Sequence, residues 1–196
     1  MKKTTLLLIL ICFATNSYSQ KKKTKKTSKP VSTATILAKA DNLSAEIVKN
    51  TFYVFINKGI KKDTITIKSV GANLPSDCKI TPYLTKNTNL CLVSWTEKAQ
   101  LQTGSKTEDK TITFSEIYEV LNKTKIFSNT QTSTLITEQV FLDKNKTASQ
   151  TQQKQRNEGY SLILNKDGDI TLYTKKQESK MTFDATKKEY VEARKR

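Results

Sequence analysis

The sequence predicts an α+β fold: an antiparallel β-meander of about eight short strands, open or closed into a barrel, with one N-terminal helix packed on it. Three observations lead there. Apolar residues recur at helical spacing near the start of the chain. Most later apolar runs alternate with a period of two. Short local turns join most of those runs, and parallel crossover units are absent.

The helix is read over 35–49. Ile36, Leu37, Ala40, Leu43, Ile47 and Val48 share one stripe, while Lys39, Asp41, Glu46 and Lys49 fall elsewhere. Both charge signs on its polar face favour packing on a sheet over lying in a membrane surface. Residues 51–56 and 64–70 are β-rich runs joined through Asn57, Lys58 and Gly59, which reads as a hairpin. Residues 89–96 form the next strand and carry Trp95, the one tryptophan. The polar stretch 98–110, with Gly104, reads as a loop. Phe114, Ile117, Tyr118 and Leu121 recur at i, i+3, i+4 and i+7, and Thr113 with Glu116 has capping-box spacing. A short helix over 113–122 follows, although Thr111 to Thr113 would suit a strand equally well.

Residues 134–142 are a long strand, and 144–158 a polar loop or a solvated strand extension. Asp167-Gly168, flanked by 160–165 and 170–174, is the strongest hairpin signal in the chain. A last hairpin pairs 181–183 with 190–191.

Lys2 and Lys3, the apolar run Leu6 to Ala14, and small Ser17 and Ser19 have the order of an export signal cut after Ser19. The run is too short to cross a bilayer, which needs about 20 residues. Cys12 follows Ile11 and precedes Phe13, which is wrong for lipid attachment. The expected organisation is a cleavable signal over 1–19, a disordered basic tail over 20–33 and a single domain over 34–193. A secreted or periplasmic location follows, with no transmembrane segment in the mature chain.

The 34 basic and 18 acidic residues give +16; without Lys2 and Lys3 the mature chain carries +14. Six lysines (Lys21, Lys22, Lys23, Lys25, Lys26 and Lys29) crowd the first ten mature residues and are candidate polyanion contacts. Only Arg156, Arg194 and Arg196 are arginines, which argues against specific nucleic-acid recognition. Cys78 and Cys91 are an even pair in an oxidising compartment, so a structural disulfide is expected.

The chain has no histidine. That excludes Ser-His-Asp and Cys-His catalysis and His-ligated metal sites. Glycine-rich phosphate cradles and G-x-S-x-G are absent as well. Aligning Gly168 with the fixed glycine of a calcium loop puts Ile163 and Thr174 at ligand positions, so that reading fails. Glu116 and Glu119 are the nearest carboxylate pair for glycoside chemistry, although a solvated helix face explains them as well. Tyr53, Trp95, Tyr160 and Tyr173 lie in strand-like runs. They would stack on a ligand if they shared a wet face, and would be core or cross-strand pairs otherwise.

Together these features predict an exported, non-enzymatic binding protein with no cofactor. Its partner would be an anionic envelope glycan, lipid or protein surface. A lipocalin-like carrier of a small apolar ligand is one alternative, and a carboxylate-based polysaccharide hydrolase another.

Overall fold

Strand alternation, with turn residues at its breaks, governs the whole of residues 34–193, the part of the chain that the computed structural model describes. Among these residues there is no helix, and the fold is all-β rather than α+β. Thirteen strands build three open antiparallel sheets. The first holds β1 (Thr35–Ala40), β2 (Leu43–Val48), β3 (Thr51–Lys58) and β4 (Lys61–Ser69). The second holds β5 (Ser76–Thr85), β6 (Thr88–Thr103), β7 (Lys106–Glu119), β8 (Thr124–Phe141) and β9 (Ser149–Gly159). The third holds β10 (Ser161–Leu164), β11 (Ile170–Tyr173), β12 (Glu178–Asp184) and β13 (Glu189–Glu192). In every sheet the spatial order is the sequence order. The meander was legible; the barrel is not formed, since each sheet keeps two edges.

Both expected helices are strands. Residues 35–48 form the β1–β2 hairpin, in which Ala40 pairs with Leu43 and Asp41-Asn42 makes the turn. Asp41 takes φ of 49°, the left-handed conformation that Asp and Asn tolerate. An isolated helix of this length is marginal in water. Pairing β2 with the aromatic and β-branched β3 supplies a full ladder instead. Residues 113–122 were misread for a different reason. The end of β7 is buried on both faces: Phe114 and Tyr118 pack to one side and Ile117 to the other. Apolar residues on two faces of a strand imitate the i, i+3, i+4 spacing of one helix face.

The expected loop 98–110 is a hairpin extension, with Thr103 paired to Lys106 across Gly104 and Ser105. The polar 144–158 stretch supplies all of β9 but its last residue, and β9 pairs with β8 and is exposed along its length. Asp167-Gly168 does turn β10 into β11. The Gly168 N–H donates to the Asn165 carbonyl at 3.1 Å, and Gly168 takes φ of 86°. That is a type I turn closed by a left-handed glycine.

The second sheet is the middle layer. Alternation along β6 sends Cys91, Val93 and Trp95 to one face and Leu90 and Leu92 to the other. The first face packs on Leu43, Phe52, Val54, Ile56 and Ile65 of the first sheet. The second packs on Ile170, Phe183 and Tyr190 of the third. Each such side chain contributes roughly 1.5–3 kcal/mol by leaving water. Tyr190 donates its hydroxyl to the Gly168 carbonyl at 2.7 Å. Its oxygen can therefore only accept from Tyr83, at 2.8 Å, which ties the middle sheet to the third.

Residues 76–85 gave no strand signal because Pro82 interrupts them. They form β5, an edge strand of the middle sheet, where a missing backbone donor is tolerated. This strand also overturns the expected disulfide: Cys78 and Cys91 are separate thiols. Cys91 sits opposite Pro82, four residues along β5 from Cys78. That offset is roughly 13 Å of extended chain, whereas a disulfide spans Cα atoms no more than about 7 Å apart. Burial pushes the Cys78 thiol up to about 11 and the Cys91 thiol up to about 12. A chain beginning at Gln20, unfolded without reductant, should therefore take up two alkylating groups by mass spectrometry. Uptake of none would mean that the disulfide exists. The folded chain should react slowly at both thiols, because little thiolate is present near neutral pH.

Candidate functional site

Beyond the two packed cores, β6, β7, β8 and β9 run on together, and their side chains alternate without a register break. The two faces of this extension differ in chemistry. On the face toward the first sheet, Glu97, Lys106, Glu108, Lys110, Glu138, Lys154, Arg156 and Glu158 intermingle acids and bases over four rows. Glu108 accepts from Lys106 at 2.7 Å and Lys110 at 3.3 Å, and the two lysines hold its carboxyl below the usual range.

The face toward the third sheet is made of hydroxyls and amides. Its rows read Thr96–Thr113–Gln131–Gly159, then Lys98–Thr111–Ser133–Asn157. Two more follow outward, Gln100–Asp109–Leu135–Gln155 and Gln102–Thr107–Thr137–Gln153. Only Lys98 and Asp109 carry charge in these four rows, against the eight charged residues of the opposite face.

Where the third sheet stops, the turn from β11 to β12 overhangs this neutral face. The Thr174 N–H donates to the Gln177 carbonyl at 2.8 Å, and the Thr174 hydroxyl accepts from the N–H groups of Lys176 and Gln177. This local bonding by a Thr side chain shapes the turn and leaves Lys175 and Lys176 exposed. Neither lysine is in an ion pair among the described residues. Tyr160 donates its hydroxyl to Gln177 at 3.2 Å, and its carbonyl accepts from the Asn129 amide at 2.8 Å.

Two grooves meet at Tyr173, which is 40 % exposed. One, of about 610 Å³, is floored by Gln131, Asn157 and Gly159 of the middle sheet and walled by Ser161 and the Tyr173–Lys176 turn. The other, of about 600 Å³, lies over Ile163, Asn165 and Thr171 and carries one acid, Glu178. An aromatic face, two cationic side chains and several amides thus converge on one concave rim. Such a set can stack on a sugar ring, pair with acidic substituents and bond hydroxyls.

A third cleft, of about 440 Å³, lies between the first two sheets and is lined by Asp41, Leu43, Ile56, Lys58, Pro82 and Val120 among others. It gathers none of the four expected aromatics. Those four divide. Tyr173 belongs to the rim just described, whereas Tyr160 is half-buried, lines neither groove and only bonds Gln177. Tyr53 lies on the outer face of the first sheet beside Phe55, at 5.8 Å between ring centroids. Trp95 is 2 % exposed, in the core between Phe52 and Phe114, and no ligand can stack on it without unfolding. Lys21, Lys22, Lys23, Lys25, Lys26 and Lys29, with the whole of the expected signal and the expected tail, lie outside the described residues.

Glu116 and Glu119 sit on β7 and point to opposite faces. Glu116 accepts from Lys125 at 2.9 Å, from Ser128 at 3.3 Å and from the Tyr118 hydroxyl. Glu119 accepts from Asn122 and Lys188, and these two hold its carboxyl below the usual range. The pair does not flank a common space. Among the described residues, no cluster of three or more Cys, Asp or Glu could hold a metal ion, and no helix is long and apolar enough to cross a membrane.

Lys175, Lys176, Gln131 and Asn157 were missed from sequence. The only signal was a Thr-Lys-Lys-Gln turn directly after a strand ending in Tyr173. Gln131 and Asn157 carried none, because a distant strand pairing brings them to the turn. Comparison of the chain with protein-family models, curated proteins and solved structures returns no match.

Proposed function

We propose that this chain is an exported, non-enzymatic binding protein that takes an acidic glycan at the Tyr173 groove. The observation that carries the reading is the convergence of Tyr173, Lys175 and Lys176 with the amides of Gln131 and Asn157 on one concave rim. The chemistry matches a sugar polymer bearing carboxylates or sulfates. Tyr173 offers a ring face to C–H groups, the lysines offer charge, and the amides offer both donors and acceptors. The basic charge of the chain would draw such a polymer in.

The test is calorimetric titration of the chain from Gln20 with a soluble polyuronate, at low and at high salt. Affinity should fall as salt rises. Tyr173→Ala should weaken binding about tenfold, the loss of roughly 1.4 kcal/mol expected for one stacking contact. Replacing Lys175 and Lys176 by alanine should flatten the salt dependence. Absent binding at low salt, or binding that ignores all three residues, overturns the proposal. A second reading, carriage of a small apolar ligand, is favoured by the apolar part of the third cleft, around Leu43, Ile56, Pro82 and Val120. Uptake of an apolar fluorescent dye in place of the polyuronate is the outcome that reading expects.

A further inference from the structure

We infer that the glycan site continues out of the Tyr173 groove across the hydroxyl and amide face of the middle sheet, so that the occupant is a long acidic polysaccharide rather than a short terminal sugar. The inference rests on the groove reading above. Its first support is continuity. Gln131, Asn157 and Gly159 floor the groove, and they belong to the first two rows of that face. The ladders carry these rows on into the outer ones without a register shift.

The second support is the chemistry of the face. Strand spacing sets its groups about 4.8 Å apart across the sheet and roughly 6.8 Å apart along it. Each hydroxyl or amide can both donate and accept, as sugar hydroxyls do. Such groups also cost less to strip of water than charges do. A merely solvated sheet extension has no reason to segregate its charges, yet eight charged residues lie on one side and two on the other.

Two of the amides are already held in place. Gln100 donates to Asp109 at 2.7 Å, and Gln155 donates to Ser133 at 3.0 Å. Fixed side chains lose less entropy on binding. Leu135, 41 % exposed, gives the middle of the face one apolar patch for a ring to cover. Charge complementarity selects an acidic polymer. Lys98 lies in the face and Lys175 and Lys176 at its entrance, whereas Asp109 is the one acid in the four rows.

The experiment uses β9, which is exposed on both sides. Gln153→Glu with Gln155→Glu puts two negative charges on the neutral face. Lys154→Glu changes the net charge by the same amount on the opposite face of the same strand. Each variant, Tyr173→Ala and the unaltered chain are titrated with two polyuronates, a short oligomer that fits within the groove and a long polymer. The double Gln variant should bind the polymer about tenfold more weakly and the oligomer unchanged, and Lys154→Glu should leave both unchanged. Tyr173→Ala should weaken both.

Polymer binding that survives the Gln substitutions, or that Lys154→Glu weakens equally, overturns the extension and leaves the groove standing. Failure of the unaltered chain to bind either length overturns the groove reading itself.

Discussion

Replacing Trp95 by alanine is expected to cost about 4 kcal/mol of folding stability, the range for truncating a fully buried large aromatic. Trp95 is 2 % exposed. Its ring stacks on Phe114 at 5.0 Å and meets Phe52 edge-on at 5.3 Å, so it joins the first sheet to the middle one. Alanine there leaves a void bounded by three strands that are each held in register by their ladders, so the void cannot close. The substitution also removes a donor. The indole N–H bonds Glu97 at 2.9 Å, and Glu97, buried, keeps only Lys68 at 2.7 Å.

Folded domains carry roughly 5–15 kcal/mol in total, so the variant should be marginal. With a urea slope of about 2 kcal/mol/M, its unfolding midpoint should fall by roughly 2 M, read by circular dichroism because the one tryptophan is gone. Trp95→Phe should fall by much less, since it keeps most of the packing and loses only the bond to Glu97. A midpoint within about 0.5 M of the unaltered chain for Trp95→Ala would mean that the two sheets do not depend on this contact.

Gly159→Ala is expected to destabilise by about 2–4 kcal/mol, combining the left-handed penalty of about 1–2 kcal/mol with a backbone collision. Gly159 has φ of 78°, and a Cβ there would stand 2.2 Å from the Thr130 carbonyl oxygen. That oxygen belongs to β8 and cannot rotate away. Relief requires β9 to part from β8 at the Gln131–Gly159 pair, where the chain leaves the middle sheet for the third. The same pair floors the Tyr173 groove, so polyuronate affinity should fall along with stability.

Gly104→Ala isolates the cause. Gly104 has φ of 60° but open space around it, so only the conformational penalty of about 1 kcal/mol applies. The two variants are compared by the same urea titration. Equal midpoints for Gly159→Ala and Gly104→Ala would show that the collision is absorbed without parting the strands.

Hairpins closed by short turns were legible because their cause is local. Asp167-Gly168 turns where its chemistry demands, and Phe52, Val54 and Ile56 alternate with Tyr53 and Phe55 as a half-buried strand should. The site was legible only in part. Tyr160 and Tyr173 could be named as candidates, but nothing local distinguished them from Trp95. All four aromatics sit in β-rich runs, and exposure depends on which face a second sheet covers.

From its own residues the chain determined an antiparallel meander, its principal turns, a basic composition and the exclusion of histidine-based chemistry. These follow from side-chain period, turn preference and residue inventory, none of which needs a distant neighbour. Only the tertiary structure decided that residues 35–48 and 113–122 are strands, that Cys78 and Cys91 lie apart, and that Trp95 is core, Tyr173 lines a groove and Tyr53 lies on an outer sheet face. The physical reason is common to all of these. A strand's two faces are equivalent until another sheet packs on one of them, and that covering is set by pairings between residues far apart in the chain. The Tyr173 groove depends on it most, since its floor comes from β8 and β9 and its wall from the turn after β11.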